Sequence, residues 1–188
     1  MVIHEVSHGY AALFLGDTTA KYAGRLTLNP LKHIDPIGSI FLPVILAILP
    51  GGLIFGWAKP VPYNPYNLRN RRWGEMIVAI AGPVSNLIIA FIFGMIIRFN
   101  LVINTEFLNL SLIIVAINVV LAVFNLIPIP PLDGSKILFS VLPQRYIRIR
   151  ENLERSGFIM LLIVVFFLWQ LFYPVINLLI KVFTGLSF

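Results

Sequence analysis

Two stretches decide most of what this chain can become. Glu75 to Arg98 and about Phe107 to Ile127 are apolar almost throughout, and each has the roughly twenty residues a helix needs to cross bilayer hydrocarbon. A backbone in such surroundings must satisfy its own polar groups, and for single runs of this length the solution is the α-helix. Only 12% of the residues are charged, against about a quarter in soluble domains. The predicted class is therefore an all-α polytopic membrane protein.

The rest of the chain fits around those spans. Ile3 to Leu15 predicts a short apolar helix that stops at Gly16-Asp17 and is too brief to cross a bilayer. Residues 17 to 37 form a polar connection with turn signals at Asn29-Pro30 and Asp35-Pro36. Gly38 to Phe55 is apolar but broken by Pro43 and by Pro50-Gly51-Gly52, and "GWAKPVPYNPYNLRNRRWG" is too rich in proline and asparagine for a helix interior. Gly157 to Tyr173 predicts a last span, which Val175 to Phe183 could extend past Pro174. Three full transmembrane helices are thus expected. A core over 1–142 is followed by a basic linker and a C-terminal transmembrane segment over 143–188.

The chain has no cysteine, so a transition-metal site must draw on histidine and carboxylate. Its net charge of +6 comes from basic residues set in short stretches between apolar runs. That is how topology-determining charge is distributed, and it gives no reason to expect a nucleic-acid partner.

Against this background the segment "MVIHEVSHGY" stands out. On a helix His4 and His8 lie one turn apart and about 40° around the axis, so both imidazoles can reach one ion. Glu5 falls on the same side, where it can meet a metal-bound water. Two imidazoles and a glutamate base in H-E-x-x-H spacing are the zincin arrangement. The plainer alternative is a helix with two interior histidines, but three ionisable groups in an apolar helix are costly and are functional candidates by default.

A catalytic zinc usually takes a third protein ligand. Asp17, Asp35, Glu75, Glu106, Glu151 and Glu154 lie at the ends of apolar runs or in polar loops, where a solvated carboxylate is expected. Asp133 differs: it follows a span in "NLIPIPPLDGSK", where Pro128, Pro130 and Pro131 deny regular helix and Gly134 permits a sharp turn. It is either a ligand or the N-cap of a helix beginning at Ser135. His33, in "NPLKHIDPIG", reads as a loop residue at the interface.

HEVSH in an apolar helix, "AGPVSN" in a later span and "NLIPIPPLDG" at the end of the next together resemble the site-2 proteases, zinc metalloproteases that cut substrates within the membrane. "GRLTLNPLKHIDPIG" and "FGWAKPVPYNP" look like the short bacterial and archaeal branch without an added PDZ domain. The resemblance runs from His4 to about Leu142. It implies Zn2+ on His4, His8 and Asp133, Glu5 as general base, and Asn86 and Asn125 as polar residues lining the site. For Asn86, Asn118 and Asn125 an interhelical hydrogen bond is the competing reading. Relatives carry more of the metal helix before HExxH, so a shortened N-terminus is expected here.

Ligands near 2 Å from one ion must share a depth. The loops after residues 15 and 133 should then face one side, residues 56–74 should join them, and segment 38–55 should enter and return as a re-entrant hairpin. That assignment gathers Lys21, Arg25, Lys32, Lys59, Arg69, Arg71, Arg72, Lys136, Arg145, Arg148, Arg150 and Arg155 on one face and leaves Arg98 and Lys181 on the other. By the positive-inside rule the shared face is cytoplasmic.

The expected protein is a multi-pass enzyme of a prokaryotic cell membrane. Its site lies near the cytoplasmic edge, and its partners are lipid, a membrane-spanning protein or peptide substrate, and partner helices or further copies. "LIFGWAKPVPY" could offer an edge to such a substrate through the N–H groups of Lys59, Val61 and Tyr63, or be a plain extended connector. Two other classes remain: an inactive relative that binds metal or helices, and a small metal transporter, for which paired inverted repeats are expected and none is seen.

Overall fold

The computed structural model describes residues 1–48, 56, 58–101, 104–143, 146–157, 160 and 169–186. Helices α1 (Val2–Phe14) and α2 (Thr19–Tyr22) are followed by a 3-10 turn at Pro30–His33 and a π-helical stretch at Pro36–Phe41 that runs into α3 (Leu42–Ile48). The long helices α4 (Arg71–Arg98) and α5 (Thr105–Asn125) come next, then α6 (Asp133–Val141), α7 (Ile147–Arg155) and α8 (Trp169–Thr184). No strand occurs among the described residues, and residues 58–64 form a connector outside helix and strand.

Among the described residues, two helices are long and apolar enough to cross a membrane: Trp73–Arg98 and Thr105–Asn125. Both begin where an asparagine side chain accepts a backbone N–H of the first turn, Asn70 from Trp73 and Asn104 from Glu106. The third predicted span lies mostly outside the described residues. Its continuation is one helix through Pro174, as the apolar pattern suggested. Of the expected re-entrant segment 38–55, the first part is helical, and residues 49–55 are outside the described set.

Helix α4 is the hub, packing against α1, α5, α6 and α8. Ala90 and Ile97 meet Val115 and Val119 of α5 and Ile176 and Ile180 of α8 in the main apolar core. Gly94 matters there because a Cβ would come within 2.6 Å of the Phe183 Cβ. The outward faces of α4 and α5 stay apolar, with Ile88, Phe91, Ile92, Ile113 and Ile117 about half exposed. Such a surface suits lipid.

The polar segments are bound to α1 by a buried carboxylate. Asp17 is not solvated: it is fully buried and accepts from Thr19 N–H and Oγ1, Asn64 N–H and Asn67 Nδ2 at 2.5 to 3.1 Å. Burial alone would raise its pKa, but these donors outweigh it and hold the group below the usual carboxylate value. A carboxylate depressed on folding stabilises the fold above the unfolded value of about 4 and ceases to do so as pH falls through the folded value. We expect Asp17→Ala to cost about 2–4 kcal/mol near neutral pH. The difference from the parent should shrink below about pH 4. Thermal unfolding in detergent at both pH values measures this, and a penalty unchanged by acid would contradict it.

Candidate metal centre

Helix α1 sets His4 and His8 on the face turned towards α4, and both are buried. Asp133 is the first residue of α6, with Leu132 as N-cap and no side-chain cap bond, so its carboxylate is free of the capping role. Gly134 makes this placement possible, since a Cβ there would strike the carbonyls of Leu126 and Ile127.

Three atoms converge. His4 Nε2 and His8 Nε2 are 3.1 Å apart, and each lies 3.1 to 3.2 Å from Asp133 Oδ2. Donors about 2.0–2.1 Å from an ion at tetrahedral angles stand about 3.3 Å apart. The chemistry of the donors points the same way. His8 Nδ1–H donates to the Val78 carbonyl at 2.6 Å, which in the neutral imidazole leaves Nε2 as a lone pair facing the carboxylate. Opposed lone pairs at this distance repel unless a cation lies among them. The residues fit zinc, and among the described residues they form the one group of three potential ligands so arranged.

The surroundings fix each ligand. Asn86, 1% exposed, puts its side-chain amide 3.1 Å from His4 Nδ1. With the Nε2 lone pair on a metal, Nδ1 carries the proton and the Asn86 oxygen, reached by a half-turn of the amide, accepts it. Asp133 Oδ1 receives the Lys136 ammonium at 3.1 Å, while that ammonium lies 5.6 Å from the Tyr63 ring centre. One carboxylate oxygen is thus reserved for the cluster.

Glu5 is not part of the triangle. Its Oε2 accepts the Val61 N–H at 3.0 Å, and it borders a cavity of about 500 Å³ whose lining includes His4, Asn86, Pro60, Phe124, Asn125 and Leu132. Asn125 reaches this cavity while its Nδ2 donates to the Leu121 carbonyl of its own helix. Asn118 likewise donates to Ile114. His33 is buried, gives Nε2–H to the Thr27 carbonyl at 2.8 Å, and stays outside the cluster.

Several contributors escaped the sequence reading. Gly82, inside "AGPVSN", is where α4 passes the imidazoles, and Lys136 follows Asp133 by three positions, a spacing that places it one helical turn away. Glu75, expected to be solvated, is buried and paired with Arg150 at 3.3 Å, and Arg150 also holds Glu154 at 2.8 Å. Nothing local to residue 75 announces a partner so far along the chain.

Residues 95–169 match the model of peptidase family M50. The chain is 41% identical over 171 residues to a candidate zinc metalloprotease, YwhC of Bacillus subtilis (strain 168), covering 86% of this chain and 74% of that protein. It is 35% identical over 136 residues to another, Rip2 of Mycolicibacterium smegmatis, covering 71% of this chain and 51% of Rip2. No solved structure matches.

Proposed function

This chain belongs to peptidase family M50, the site-2 proteases, and is a membrane zinc metalloprotease; from that premise we propose that it is an intramembrane endopeptidase with zinc on His4, His8 and Asp133 and Glu5 as general base. The observation that carries this reading is the buried triangle of lone-pair atoms, 3.1 to 3.2 Å on a side, with a glutamate beside it. When bound, zinc lowers the pKa of a water and polarises a carbonyl. Glu5 takes the proton from the attacking water through the oxygen not bonded to Val61 and passes it to the leaving amide nitrogen.

The cavity beside Glu5 receives the unwound substrate. Its walls at Leu121, Phe124, Pro131 and Leu132 suit the apolar side chains of a membrane-spanning peptide. Asn125, with its NH2 engaged, offers its carbonyl oxygen to a substrate N–H, while Asn86 borders the same cavity and orients His4. Gly82 lies about 14 Å along α4 from Trp73, which puts the centre alongside the interior of a span. The clustering of basic residues in the loops around the site supports a cytoplasmic approach for water, in a multi-pass protein of a prokaryotic cell membrane.

Metal analysis of the detergent-purified chain tests the centre. The parent should carry close to one zinc per chain. Asp133→Ala should lose nearly all of it, since two imidazoles remain where three ligands are needed. Full zinc occupancy in Asp133→Ala would remove Asp133 from the ligand set.

A further inference from the structure

We propose that the Val61 backbone N–H is the positioning group for the general base, an inference that rests on Glu5 acting as that base. Pro60 and Pro62 carry no N–H, so Val61 has the one backbone donor of that triplet. It is spent on Glu5 Oε2 at 3.0 Å. A glutamate has several rotamers on its two-methylene stem. Tethering one oxygen selects among them and leaves the other for proton transfer.

The donor is itself firmly seated. Lys59 N–H donates to the His33 carbonyl at 2.9 Å, and Arg25 Nη2 donates to the carbonyls of Lys59 and Pro60 at 2.8 and 3.3 Å. His33 is in turn anchored on Thr27. Val61 is 5% exposed. Its side chain lies over Gly9, one turn beyond Glu5, where a Cβ would come within 2.9 Å of Val61 Cγ1. Glycine at that position lets the connector approach α1 closely enough for the bond to form. The contacts at Lys59 and Val61 also remove two of the three donors that an added strand would need. The segment serves the base instead of offering an open edge.

Val61 precedes Pro62, which confines it to extended backbone where a proline fits. Val61→Pro therefore deletes the N–H with little change of path, whereas Val61→Ala deletes the side chain and keeps the N–H. At equal zinc content, Val61→Pro should lower kcat on a membrane peptide about 10²-fold further than Val61→Ala does, with similar KM. Equal kcat in the two variants overturns the proposal; if Glu5→Gln is inactive in the same assay, the general-base reading survives that result, and an active Glu5→Gln overturns both. A second measurement needs no catalysis and no folded Val61→Pro. The Val61 amide should resist hydrogen exchange in the parent and in Glu5→Gln, which keeps an acceptor, and lose its protection in Glu5→Ala. Undiminished protection in Glu5→Ala overturns the proposal.

Discussion

Glu5→Gln should lower the rate of peptide hydrolysis by about 10³-fold, within the range that a positioned general base contributes, while zinc content should stay near one per chain. The separation between rate and metal follows from geometry. Glu5 lies outside the triangle of His4, His8 and Asp133, so replacing it removes no ligand. Glutamine also retains a carbonyl oxygen to accept the Val61 N–H that Glu5 now receives, so α1 and the connector remain joined. What is lost is the capacity to take a proton at neutral pH, since an amide oxygen has almost none. The decisive measurement is kcat on a membrane peptide in detergent, beside metal analysis of the same preparation. A Glu5→Gln protein that keeps its zinc and cuts at the parent rate would end the assignment of Glu5 as base. One that loses its zinc would place Glu5 among the ligands.

Gly82→Ala should weaken zinc binding at the centre without replacing any of its three donor side chains. A Cβ at position 82 would stand 2.6 Å from both His4 Cε1 and His8 Cε1 and closer still to His8 Nε2. Atoms in ordinary contact keep well over 3 Å, so one partner must yield. The α4 backbone is fixed by its packing on α1, α5, α6 and α8, which leaves the imidazoles to move. Moving them breaks the 3.1 Å spacing of their Nε2 atoms and the bonds to Val78 and Asn86. Zinc affinity should fall by more than the 10–100-fold typical of a lost outer-shell partner, and proteolysis should fall with it. The apo fold should survive, because alanine is about 1 kcal/mol better than glycine in a helix interior. Chelator competition for zinc, read beside helix content by circular dichroism, checks both halves. Parent-like affinity in Gly82→Ala would show that the closeness of α4 to the histidines is not needed for binding.

The two predictions rest on different kinds of information. The pairing of His4 and His8 is legible because H-E-x-x-H spacing acts within one helix: a period of 3.6 brings the two imidazoles together whatever else the chain does. The long apolar helices α4 and α5 are legible because length and apolarity are properties of a single segment. Asp133 was marked by its setting, an acid after a proline-rich break, but two roles stayed open there. Its place at the first position of α6, with Leu132 as cap, leaves the side chain free for the cluster. Asn86 reads as a polar residue within an apolar run, yet nothing in its neighbours says that it meets His4.

The contacts of Gly82, Lys136, Asp17, Glu75 and Val61 are not legible in the sequence, and the reason is common to them. Each acts through a contact that depends on how separate segments are brought together or on the exact turn where a helix begins. Asp17 reads as a solvated loop acid until residues 64 and 67 close over it. Val61 reads either as an edge donor or as part of a plain connector until α1 brings Glu5 beneath it. Taken alone, the sequence determined the helical, apolar class of the chain, its two long apolar helices and the H-E-x-x-H pattern on α1, because these follow from composition and from periods within single helices. The tertiary structure decided which carboxylate joins the histidines, which backbone groups hold them and which glycine lets them meet. Those contacts join residues far apart in the chain, and their distances are set only when the helices pack.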